Sequence, residues 1–187
     1  MKLACVLASL VTLVAAQDAT TDSIEIVGGK EAPVGKHRYL AGLKESPDAD
    51  SSCGGSLIAP KVILTAAHCT GNGLSYAVVG SHYLSGSSDG ELVKVTKEIK
   101  HPNNNPSTFA NDVAILLLER SITTIQPVKV SFETVGVGVD TWVRGWGTAS
   151  SGGSQSSVLK ELKVKTWDSA NATKNLSPYT VDRTMVV

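Results

Sequence analysis

Apolar residues recur in short runs broken by clusters of Gly, Pro, Asn and Ser, at 39–43, 56–58, 62–65, 76–79, 92–99, 113–118, 141–146 and 158–166. Period-2 alternation is clearest where Leu162, Val164 and Thr166 interleave with Lys163 and Lys165. No segment keeps a helical period for three turns, so the pattern predicts an all-β chain of short strands, with brief helices only around 66–69 and 169–176. Many strands without helical crossovers favour a sandwich or barrels over a parallel sheet. The stretch 148–157, TASSGGSQSS, is too polar and Gly-rich to pack and reads as a mobile surface loop.

The first residues follow a different logic. Lys2, an apolar run over 6–14 and the small residues Ala15 and Ala16 form a secretory signal at 1–16. Residues 17–25 are polar and read as a flexible leader, so the folded part is expected over 26–187. The apolar run is too short to span a bilayer. The chain is therefore expected to be secreted and extracellular.

Charge narrows the partners. The formal net charge is 0, and it becomes −1 once Lys2 leaves with the signal. Nucleic acid and anionic membranes both require a basic face, so neither is an expected partner. Of three cysteines, Cys5 leaves with the signal, and the remaining Cys53 and Cys69 are an even pair in an oxidising compartment. They are expected to form a disulfide.

Four motifs then occur in one order: Ile26-Val27-Gly28-Gly29; Cys53-Gly54-Gly55-Ser56 with Thr65-Ala66-Ala67-His68-Cys69; Asn111-Asp112-Val113-Ala114-Ile115; and Gly145-Trp146-Gly147. Together they resemble the trypsin and chymotrypsin family of serine proteases. The resemblance implies a double β-barrel, with His68 at the general-base position and Asp112 as the carboxylate that orients it. The Cys53–Cys69 bridge would pin the backbone beside His68, and Gly54 and Gly55 would let strands approach closely. Trp146 reads as a packing residue.

The resemblance then fails. The family's nucleophile lies in a Gly-Asp-Ser-Gly-Gly run, and none appears before Val187. The expected domain is a trypsin-like double barrel with its second barrel truncated at the C-terminus, and His68 and Asp112 are vestigial. Glu25 precedes Ile26 where the family's activating cleavage needs Lys or Arg. A cysteine pair expected in the 172–174 region and at Val187 is missing as well. Two other serines are weaker nucleophile candidates. Ser88, in Gly86-Ser87-Ser88-Asp89-Gly90, fits G-x-S-x-G, a motif that needs a strand-to-helix turn above an α/β sheet. Ser154 sits in the Gly-rich loop without fixed donors.

Asn171-Ala172-Thr173 and Asn175-Leu176-Ser177 are glycosylation sequons, whereas Pro106 excludes Asn105. His37, His68, His82 and His101 show no metal-ligand spacing, so neither a metal nor another cofactor is expected. The segments GGSLIAPKVILTAAHC, VVGSHYLSGSSDGE and IKHPNNNPSTFANDVAILLLE resemble a narrower group, the oomycete glucanase inhibitor proteins. That resemblance implies a non-proteolytic effector of the host apoplast whose partner is a host plant endo-β-1,3-glucanase. The alternative is a trypsin-like endopeptidase whose C-terminal part lies beyond residue 187. Oligomeric state is not legible.

Overall fold

Alternating burial along the strands closes six of them into a barrel. The computed structural model describes residues 26–148, 150 and 152–187, so the signal at 1–16, the leader at 17–25 and Glu25 lie outside the described residues. The strands are β1 (Lys30–Glu31), β2 (Leu40–Lys44), β3 (Cys53–Ala59), β4 (Val62–Thr65), β5 (Tyr76–Val79), β6 (Glu91–Lys100), β7 (Ala114–Leu118), β8 (Asp140–Gly145) and β9 (Lys160–Lys165). A 3-10 turn spans Ala67–Cys69, and one helix, α1, spans Ser169–Asn175. The barrel runs β2-β3-β4-β7-β6-β5 and closes by antiparallel pairing of β5 with β2. Closure leaves no free edge in this half of the molecule.

The inward set of each strand is apolar. Ala114, Leu116 and Leu118 of β7 are buried while Ile115 and Leu117 are half-buried. Leu116 and Leu118 meet Leu43, Leu57, Ile63, Val79 and Val93 in one core. Gly55 is needed here, because a Cβ on it would stand 2.6 Å from the Ile63 side chain and 3.1 Å from the Leu64 carbonyl. Gly54 differs from the sequence expectation, since open space surrounds it. Only the second glycine of the pair lets β3 and β4 approach.

The remaining strands form a three-stranded antiparallel sheet, β1-β9-β8, which stays open among the described residues. β1 was not expected from the sequence, because two charged residues carry no alternation. It forms through its partner, Lys30 pairing with Glu161 and Glu31 with Lys160. The Glu161 carboxylate is buried and faces three cationic or protonatable groups: His37 Nε2 at 3.3 Å, Arg144 Nε at 3.5 Å and Lys30 Nζ at 3.6 Å. Nearby, buried His82 bonds Glu31 at 2.9 Å, and Trp146 donates Nε1–H to the His82 carbonyl while packing on Ala32 and Leu159. Trp146 is thus the packing residue the sequence suggested.

The described ends of the 148–157 segment are packed, against the expectation from composition. Thr148 bridges to Gln155, Ser156 is buried, and Gln155 Nε2 donates to the Ser51 carbonyl at 3.2 Å. Small polar side chains satisfied by backbone groups let a Gly/Ser-rich segment pack at its ends.

Two predictions follow from this architecture. The Cys53–Cys69 bridge spans a sequence separation of 16, so replacing both cysteines by alanine is expected to cost about 3 kcal/mol of stability, read by urea unfolding. The second concerns acid. Burial, then the neighbouring Arg144, holds the His37 pKa below its ordinary value despite Glu161. Burial pushes Glu161 upward, but the His37 hydrogen bond with Lys30 and Arg144 brings it below the usual carboxylate value. The unfolded chain binds both protons more readily, so the stability is present at neutral pH and is lost as pH falls, first below about 6.5 and then through the carboxylate range. Melting temperature against pH should show both steps, and His37→Gln should remove the first.

Candidate functional site

His68 and Asp112 reach one place because β4 and β7 are neighbours. Thr65 pairs with Ala114 at the end of that ladder, so the residues that follow β4 and those that precede β7 leave the barrel at the same rim. The 3-10 turn then presents the imidazole, with Cys69 of the same turn joined to Cys53 on β3. Thr65 Oγ1 donates to the Gly54 carbonyl at 2.7 Å and ties the end of β4 to β3. Asp112 is positioned by the loop before β7, in which Phe109 and Asn111 adopt φ of 57° and 54°. Asparagine tolerates that left-handed conformation, and its Nδ2 fastens the loop to the Asn103 carbonyl at 3.0 Å.

The pairing has two contacts. Asp112 Oδ2 lies 2.6 Å from His68 Nδ1, and Asp112 Oδ1 accepts the His68 backbone N–H at 2.8 Å. A carboxylate on Nδ1 keeps the proton there and leaves Nε2 as the free acceptor. Partial burial pushes the Asp112 pKa up, but the bonds from the His68 ring and backbone outweigh this and bring it below the usual value. The carboxylate therefore stays ionised, and among the described residues no hydrogen bond reaches His68 Nε2.

His68 and Asp112 border an open groove of about 700 Å³ lined also by Phe109, Tyr179, Thr184, Met185 and Val187 among others. Phe109 stands edge-on between His68 and Tyr179, with ring centroids 6.5 and 6.0 Å away. Thr184 Oγ1 accepts the Asn111 N–H at 3.1 Å, and the Val187 carbonyl accepts from the Trp167 N–H at 2.7 Å, so the last residues form one wall. No serine is among the lining residues. The aromatic wall was missed from sequence. Its one signal was Phe109, a large apolar residue in the polar stretch NNNPSTFAND.

The other candidate residues lie apart from this groove. Gly86-Ser87-Ser88-Asp89-Gly90 is a turn between β5 and β6, and Asp89 accepts from Ser81 Oγ at 2.7 Å and the His82 N–H at 2.6 Å. It has no strand-to-helix elbow, and neither Ser88 nor Ser154 lines the groove. Asn171 and Asn175 are exposed one turn apart on α1, where Asp168 caps the helix through the Asn171 N–H at 2.9 Å. Their amide nitrogens donate to Asp168 Oδ2 and to the Asn171 carbonyl. Cys53, His68 and Cys69 form the one close grouping of metal-ligand types among the described residues, but both sulfurs are spent in the disulfide and offer no thiolate. The Ile26 N–H donates to the Thr148 carbonyl at 2.7 Å, and its side chain is buried.

Comparison with known proteins adds three findings. The family model described as Trypsin matches residues 26–187. Glucanase inhibitor protein 1 of Phytophthora infestans is 34% identical over 154 residues, which cover 80% of this chain and 59% of that protein. Glucanase inhibitor protein 3 of Phytophthora sojae (strain P6497) is 34% identical over 186 residues, covering 94% of this chain and 71% of that protein. The chain thus spans 59% and 71% of the lengths of these two relatives. The solved structure of GrC superposes with a TM-score of 0.73 at 26% identity, covering 84% of this chain and 72% of that one. Among the described residues no helix is long and apolar enough to cross a membrane.

Asp112 is the residue on which the site's order depends. Asp112→Ala removes acceptors from both the His68 ring and backbone, and is expected to cost about 1–3 kcal/mol. Urea unfolding gives the energy. A new His68 ring environment in the imidazole NMR signals gives the local effect, and an unchanged signal would show that the pair does not orient the ring.

Proposed function

The chain belongs to the trypsin family, and from that premise we propose that it is a secreted, non-proteolytic member that binds and inhibits host plant endo-β-1,3-glucanases. The observation that carries this reading is an oriented base with no nucleophile beside it among the described residues: Asp112 holds His68, and no serine lines the groove that His68 borders. An imidazole and a carboxylate alone do not open an acyl-transfer route, which needs a nucleophile hydrogen-bonded to the base, and among the described residues no hydroxyl bonds His68 Nε2. Removing the nucleophile alone costs on the order of a million-fold in turnover in the well-studied case. His68 and Asp112 are then vestigial as catalysts and serve to hold the groove's rim.

The direction of the proposal, from protease scaffold to inhibitor, is supported by similarity to proteins named glucanase inhibitor proteins. In this reading the signal at 1–16 is removed, the domain over 26–187 acts in the apoplast, and Asn171 carries an N-glycan that crowds Asn175. One observation favours the second reading, a trypsin-like endopeptidase completed by residues beyond 187: the 2.6 Å contact between His68 and Asp112 is the geometry that a working base requires. Sequencing the transcript past codon 187 separates the two, since an open frame encoding Gly-Asp-Ser-Gly-Gly restores the protease.

The test uses the secreted protein with a plant endo-β-1,3-glucanase. A stoichiometric complex and loss of glucan hydrolysis are expected at micromolar protein, and peptide substrates remain uncut. His68→Ala is expected to inhibit the glucanase as well as the parent chain. Peptide cleavage abolished by His68→Ala would overturn the non-proteolytic reading, and absence of both complex and inhibition would overturn the glucanase reading.

A further inference from the structure

Asn72-Gly73, in the connection between the His68 turn and β5, is the one Asn-Gly pair in the chain. Asparagine is among the thermolabile side chains. The main-chain nitrogen of the next residue can attack its amide carbon, and a glycine there places no Cβ in the way of the five-membered ring that forms. Whether the pair reacts depends on how the fold holds it.

Gly73 has φ of 83°, with open space where a Cβ would stand. Among the described residues no acceptor takes the Gly73 N–H, so the attacking nitrogen is not engaged in a hydrogen bond. The Asn72 amide nitrogen has one tie, to the His68 carbonyl at 3.0 Å. Asp89-Gly90 shares the ring-forming chemistry and is held in the opposite way. Its Gly90 N–H donates to the Ser87 carbonyl at 3.3 Å, and its carboxylate oxygens accept from Ser81 Oγ and the His82 N–H. A Cβ on Gly90 would meet backbone at 2.8 Å, so that pair is enclosed as well. The remaining asparagines precede Asn, Pro, Asp, Ala or Leu.

We propose that Asn72 is a site of spontaneous deamidation, a slow one-way modification that loosens the turn carrying His68. The Gly73 nitrogen bonds to Asn72 Cγ, the Cγ–Nδ2 bond breaks, and Nδ2 leaves as ammonia with the proton that Gly73 gave up. Water then opens the cyclic imide. Opening at Cγ gives aspartate, and opening at the Asn72 main-chain carbonyl gives isoaspartate. The balance is amide plus water to carboxylate plus ammonium, with no change of oxidation state and water as the only co-reactant.

The consequence follows from what the amide holds. The 3-10 turn closes through the Cys69 and Thr70 N–H groups on the Ala66 and Ala67 carbonyls, which leaves the His68 carbonyl to the Asn72 side chain. Both products put a carboxylate there, which has no N–H to give and repels the carbonyl oxygen. The new charge also arrives near Glu98, whose carboxylate accepts the Gly71 N–H at 2.7 Å, with Lys100 Nζ as the neighbouring cation. Isoaspartate lengthens the main chain by a methylene besides. This inference is independent of the glucanase reading, since it needs neither a partner nor a catalytic step.

The secreted chain, incubated in heavy-oxygen water at neutral and at mildly acidic pH beside a urea-unfolded sample, tests it by peptide mapping. Label is expected at position 72 before any other asparagine, and faster at neutral pH, because the attacking nitrogen must lose a proton. Surface loops open at little cost, so the native rate is expected within about tenfold of the unfolded one. A slower native rate, or label appearing first elsewhere, overturns the proposal. Asn72→Gln, which would need a six-membered ring, is expected to stop uptake at 72, and uptake that persists there overturns the ring route. Asn72→Asp reproduces one product. With circular dichroism unchanged, its amide hydrogens over 68–71 are expected to exchange at least about tenfold faster than in the parent. Unchanged exchange in both this variant and the aged protein overturns the loosening.

Discussion

The antiparallel register between β4 and β7 is the constraint on which this molecule depends. Because Thr65 faces Ala114 at the rim, the histidine three residues beyond the one and the aspartate two residues before the other emerge side by side. A slip of one residue would turn every side chain of β7 to the other face, trading buried Leu116 and Leu118 for half-buried Ile115 and Leu117. Burial of the barrel core therefore sets the 2.6 Å contact between His68 and Asp112. The site inherits its precision from hydrophobic packing, and the disulfide at Cys69 secures the turn that carries the imidazole.

The second half of the molecule is organised differently. Its link to the short β1 strand is a two-residue backbone ladder beside a buried carboxylate that faces an imidazole, a guanidinium and an ammonium. Such clusters contribute specificity when every member is present and become costly when one partner is lost. The arrangement explains how two residues as unpromising as Lys30 and Glu31 become a strand, and why this half is tied to the molecule's ionisation state in a way the barrel is not.

These two halves have different consequences for function. The barrel delivers an oriented base to a groove walled by Phe109, Tyr179 and the last residues of the chain, a surface able to hold apolar groups but offering no serine. Among the described residues the three-stranded sheet exposes Trp142 between Asp140 and Arg144.

Local sequence determined what depends on local pattern. Short apolar runs located β4 and β5 to the residue, and the brief helix expected around 169–176 forms as α1 at Ser169–Asn175; the ordered motifs around His68, Asp112 and Trp146 carried the family resemblance that implied a double barrel. Interactions between distant residues remained hidden. The β1 strand exists only because Glu161, far along the chain, pairs with it. Gly54 and Gly55 look alike in sequence, yet only Gly55 faces a neighbour too close for a side chain. The ends of the 148–157 loop pack because Ser51 and Trp146 offer backbone carbonyls to Gln155 and Ser156. Periodicity records which face of an element avoids water, and that is a property of neighbouring residues. Which strand lies at an edge, which carboxylate is buried among cations and which aromatic ring walls a groove are set by chain closure over long separations, and only the tertiary structure decides them.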